Sequence, residues 1–179
     1  MSRLRLSILL FICAVTGFQP TLRATDSATS ASVSPRCFAL IIGGAPGDAL
    51  HGRHFADWLN RFNTVLKPFV SKPDDLILLT SQGEVKSRTG DATGASIQTA
   101  ISNFVMRVES GDQFIMVLVG HGLADGSLAL AGPDLSTTTL ADALKPLKAK
   151  RQIVLDFPSS SGAIIPVLVQ PGRILLTAN

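Results

Sequence analysis

Phe114-Ile115-Met116-Val117-Leu118-Val119-Gly120-His121-Gly122 is the stretch on which the fold turns. Six large apolar residues follow one another without alternation, as they do in a strand buried on both faces of a parallel sheet. The run then breaks into a loop that places an imidazole between two glycines. Other segments read the same way. Phe38 to Ile42 is a short apolar run ending at Gly43 and Gly44, and Asp75 to Thr80, Ile153 to Phe157 and Arg173 to Thr177 are further buried strands.

Between these strands the period changes. Phe55, Trp58, Leu59, Phe62, Val65, Leu66 and Phe69 recur at steps of three and four, which predicts a helix from about Gly52 to Val70 with all seven on one face. Ile97, Ile101, Phe104, Val105 and Val108 predict a second helix over Ala95 to Val108. Thr138 is expected to cap a third, carrying Leu140, Leu144 and Leu147. Leu128 to Ala131 is expected to form a small hairpin arm. A short helical segment interrupted by Pro166 precedes the last strand, and Ser81 to Gly94 has no period and reads as a loop. The prediction is an α/β three-layer sandwich with a mainly parallel sheet of about five strands, covered on both faces. Ligands of such sheets bind at the carboxyl ends of the strands.

The domain occupies residues 37–179. Residues 1–24 read as a secretory signal: Arg3 and Arg5, an apolar run from Ile8 to Phe18, and the small Ala24. That run falls short of the roughly 20 apolar residues a membrane span needs. No stable membrane span is expected after its removal, and the product is expected to be exported, periplasmic or extracellular. Residues 25–36, rich in Ser, Thr and Ala, form a linker. Arg3, Arg5 and Arg23 account for the whole formal charge of +3, so the remainder is neutral and carries no basic stripe for nucleic acid. Of the two cysteines only Cys37 lies outside the signal, so no internal disulfide can form. The remaining chain, roughly 155 residues, is long enough for one core.

Two strand-end loops carry candidate chemistry. His121 can serve as a general base near neutral pH. The turn Ser159-Ser160-Ser161-Gly162 after the fourth strand supplies a hydroxyl and backbone amides on a strand expected to lie next to it. The plain alternatives are a loop histidine held by the backbone and a serine N-cap. Gly43-Gly44-Ala45-Pro46-Gly47 has the wrong spacing for a dinucleotide fingerprint, and no acidic residue follows at the ribose position. His51 and His54 are three apart but lack a third ligand, so neither a metal nor a cofactor is expected.

Taken together, these segments resemble the legumain family of cysteine peptidases, within the wider caspase-like fold. Arg53-His54-Phe55-Ala56-Asp57 is close to the family's Arg-His-x-Ala-Asp, and His121-Gly122 is similar to its catalytic His-Gly. Ser159-Ser160-Ser161-Gly162 stands in the place of its Cys-x-Ser-Gly, and Arg173 to Asn179 looks like its fifth strand with a Thr-Ala ending. The likeness runs from about Phe38 to Asn179. It implies a base at His121, an oxyanion donor in the Gly122 amide, and a substrate pocket with Arg53 in its wall beside His54 and His51. Three departures accompany it. Ser159 occupies the nucleophile position, His51 falls where the family tends to have an Asn that steadies the histidine, and the sequence stops at Asn179, before the family's next strand. The resemblance thus implies a pocket open on one side and a sheet edge free to pair in a dimer.

Three readings follow. The first is an exported legumain/caspase-like peptidase homologue, catalytically impaired by Ser159, that binds peptide or protein at the strand-end cleft. The second is an active serine-type hydrolase using Ser159 and His121, with Asp156 too near in sequence to be assumed a third member. The third is an unrelated exported α/β protein that holds a small ligand in its glycine loop.

Overall fold

The structure is a computed structural model that describes residues 34–82 and 84–178. The expected signal and nearly all of the linker lie outside the described residues. Five strands form one all-parallel sheet: β1 (Cys37–Gly43), β2 (Leu76–Thr80), β3 (Gln113–Val119), β4 (Arg151–Asp156) and β5 (Arg173–Thr177), in the order β2-β1-β3-β4-β5. The helices are α1 (Ala49–Leu66), α2 (Gly94–Arg107), α3 (Thr137–Leu144) and the short α4 (Ile165–Leu168). This is the three-layer α/β sandwich that the alternation of periods predicts.

Alternate residues of β1 serve opposite layers. Phe38, Leu40 and Ile42 join Ile97, Phe104, Leu140 and Leu168 of α2, α3 and α4 in one core. Ala39 and Ile41 join Phe55, Leu59 and Leu66 of α1 in the other. Both faces of the central strands are therefore apolar, which is why these runs do not alternate.

The helix starts are set by short polar side chains. Asp48 caps α1, its Oδ1 accepting from Leu50 N at 2.8 Å and His51 N at 2.9 Å. The helix thus begins a turn before the expected Gly52. Ser136, rather than Thr138, caps α3, accepting from Thr139 N at 3.1 Å. Pro166 stands in the first turn of α4, where its missing N–H is harmless, so it opens that helix rather than interrupting it. Leu128 forms isolated antiparallel bridges with Gly122 and Leu135, the expected hairpin arm in minimal form.

The two layers are not equally complete. Trp58, Val65 and Phe69, counted in the apolar stripe of α1, are exposed, as are Ile174 and Leu176 of β5. α1 packs on β2, β1 and β3 and leaves β5 uncovered on that face, so coverage of both faces fails at the β5 edge. Among the described residues no helix is long and apolar enough to cross a membrane.

Candidate functional site

The sheet register brings three loops to one rim. Gly43 pairs with Val119 and Leu118 with Asp156, so β1, β3 and β4 end together. Gly44 N donates to Val119 O at 2.8 Å and Phe157 N to Leu118 O at 3.1 Å, extending the pairing into the loops. His121 and Ser159 consequently sit at the ends of adjacent strands, with no strand between them.

Contact across that gap is close. A side chain on Gly122 would collide with the carbonyl oxygen of Ser159, so only glycine permits this approach. Among the described residues the Gly122 N–H has no hydrogen-bond partner. The unpaired amide thus belongs to the residue that packs on the hydroxyl-bearing turn. The turn itself is strained: Ser160 has φ 59° and ψ 20°, a left-handed conformation that a non-glycine residue adopts at a cost of roughly 1–2 kcal/mol. Ser161 anchors the far side, its buried hydroxyl donating to Ala178 O at 2.5 Å. Ser159 stays exposed.

The imidazole of His121 is held from behind. Its Nε2 lies 2.8 Å from Pro46 O, and a carbonyl oxygen only accepts, so Nε2 carries the hydrogen. The lone pair of the neutral ring is therefore on Nδ1, the nitrogen left to act as base. Gly47 lets the loop turn back over the ring with φ 74°. Phe55 packs edge-on at 5.2 Å and 66°, and His51 at 4.8 Å and 66°. His51 is itself fixed, because its Nδ1 donates to Asp48 Oδ2 at 2.7 Å. The backbone N–H of His51 and then its ring hold the Asp48 carboxyl below the usual value.

The remaining expected residues separate. Arg53 lines a neighbouring cleft of about 520 Å³ with Pro46, Gly47, Asp48, Gln82 and Glu84, on the β2 side of β1. His54 turns instead to Trp58, with ring centroids 6.4 Å apart. The structure thus groups His121, His51, Gly122 and Ser159, opens Arg53 onto an adjoining cleft, and sends His54 elsewhere.

Asp156 ends β4 but shares its face with Gln152 and Val154, which look toward α3 and α4. It is 3% exposed, its Oδ2 has no partner among the described residues, and burial pushes its carboxyl up to about 7. It therefore lies in the layer opposite α1 and makes no bond to His121. Sequence reasoning missed Asp48 and Pro46. Asp48 had a usable signal in its spacing of three from His51, whereas Pro46 acts through a backbone carbonyl and has none.

The chain matches no protein-family model and no curated protein.

Proposed function

We propose that this is an exported legumain/caspase-like peptidase homologue whose strand-end cleft binds peptide or protein and whose chemistry is impaired by Ser159. One observation supports the reading: His121, backed by the neutral carbonyl of Pro46, sits at the end of the strand next to the one that carries the Ser159 turn, and its neighbour Gly122 packs on that turn. A cysteine in that turn would need only mild help, because a thiol ionises near pH 8.5. A serine hydroxyl instead needs a base whose imidazolium is stabilised as it forms, the role an acidic third member plays in serine hydrolases. Here the group behind the ring is uncharged, and Asp156 points into the other layer. On this reading the neutral backing of His121 would suit a thiol, and Ser159 supplies the nucleophile of a weaker chemistry.

The test compares the natural protein with Ser159→Cys and Ser159→Cys/His121→Ala on fluorogenic peptides ending in Asn or Asp. The natural protein is expected to bind without turnover, Ser159→Cys to gain cleavage, and the double variant to lose that gain. Turnover by the natural protein that disappears in Ser159→Ala would establish the serine-type hydrolase instead. The left-handed strain at Ser160, next to Ser159, is the one feature that favours this second reading.

A further inference from the structure

The uncovered side of the sheet is continuous with a groove of about 410 Å³ between α1 and the end of β5, lined by Trp58, Arg61, Phe62, Val65, Phe157 and Ala178. Phe62 and Phe157 stack at 5.4 Å and 30° and form its wall. Because Ala178 lines the groove, Leu176 and Ile174, at steps of two along β5, carry the same apolar surface down the sheet. Trp58, Val65, Phe157, Ile174 and Leu176 are each between 38 and 60% exposed.

We infer that this face is the docking site of a second copy of the chain. Area is the first argument. With about 150–250 Å² for an aromatic side chain and less for Val, Ile and Leu, these half-exposed residues present roughly 400 Å², a patch of the size that marks interaction surfaces. A standard interface takes about 800 Å² from each partner, and Phe62 and the partly buried Leu155 on the same face supply more.

Charge is the second argument. A two-fold interface sets a surface against its own copy, so any net charge on it meets the same charge. The charged pair beside the groove is self-neutralising: Arg61 Nε lies 2.9 Å from Asp57 Oδ2, one helical turn away. Arg151, exposed on the same face at the start of β4, stands at the end remote from Phe157 and Ala178. An antiparallel two-fold arrangement keeps the two Arg151 side chains apart. Such a neutral apolar surface suits its own copy and gives a strongly charged partner nothing to recognise.

Trp58 is the only tryptophan in the chain, so its fluorescence reports on this face directly. Sedimentation of the full chain over about a hundredfold concentration range is expected to show a monomer–dimer equilibrium, with Trp58 emission moving to the blue as dimer forms. Leu176→Glu and Val65→Glu should each raise the dissociation constant at least about tenfold. Both positions are exposed, so an unchanged thermal midpoint of the monomer checks that they fold. Met106→Glu, on α2 and remote from the groove, should leave the equilibrium unchanged. A monomer at every concentration overturns the proposal. If Trp58 is then already blue and protected, the face is covered within the monomer; if it is wet, no second copy docks there. A dimer that survives both substitutions, or an open-ended series of oligomers, overturns it as well.

Discussion

The two rims of the sheet are built on different principles. At the amino ends of the strands every buried charge has a partner. Arg36 Nη2 lies 2.8 Å from both Asp112 Oδ2 and Arg107 O, Asp112 also accepts from Arg36 N and Glu109 N at 2.9 Å, and Arg107 pairs with buried Asp75. Both guanidinium groups lie over Phe38, at 5.1 and 5.3 Å from its ring. At the carboxyl ends, among the described residues, Asp156 Oδ2 is buried without a partner, Ser160 is strained, and the Gly122 amide is free. One rim locks the chain, and the other keeps polar groups available at a cost in stability, as working sites tend to.

Two buried aspartates make the contrast measurable, because they titrate in opposite senses. Burial pushes the Asp112 carboxyl up, but the Arg36 guanidinium and backbone N–H groups outweigh that and hold it below its ordinary value. Its contribution is present above the unfolded value near 3.9 and is lost as pH falls through the lower folded value. Asp156 is raised to about 7, so the folded state keeps a proton that the unfolded state gives up. Stability is therefore lost as pH rises from about 4 to 7, then levels off. The largest expected effect is this loss, about 2–4 kcal/mol, in urea unfolding across that range. Asp156→Asn should remove the slope, and a slope unchanged in the variant would assign it to other groups.

The next effect probes the locked rim. Asp112→Ala leaves the amides of Arg36 and Glu109 and the Arg36 guanidinium without their acceptor, and should lower stability by about 2–3 kcal/mol at pH 7. In urea the loss should appear as an earlier midpoint with an unchanged slope. The pH dependence due to Asp156 should persist in this variant. If the two features changed together, the rims would not be independent.

The sequence carried the scaffold more openly than the site. Unbroken apolar runs at 38–42 and 114–119 announce buried parallel strands, and Gly120-His121-Gly122 and the serine turn mark the rim because small residues must follow such strands. The stripe on α1 was legible as a stripe. Periodicity does not say how much of it meets the sheet, however, and Trp58 and Val65 fall on the side that the helix leaves open. Asp48 left a signal in its spacing of three from His51, but a cap and a surface aspartate look alike until the helix start is known. The Pro46 carbonyl has no side-chain signature, and the isolation of Asp156 depends on which way β4 faces, which a strand apolar on both faces does not disclose.

The smallest expected effect asks whether strain at the open rim serves the site. Ser160→Gly removes a left-handed penalty of roughly 1–2 kcal/mol, but glycine also loosens the unfolded chain by about 0.4–1 kcal/mol. The net gain should be under about 1 kcal/mol, a rise of a few degrees in the thermal midpoint at most. If the strain positions Ser159, the same change in a Ser159→Cys protein should lower kcat while leaving KM nearly unaltered, because the glycine turn no longer fixes the nucleophile against the imidazole. Equal kcat with and without Ser160→Gly would show that the strained turn is only the connection between β4 and α4. The difference between the two rims would then rest on Asp156 and the Gly122 amide.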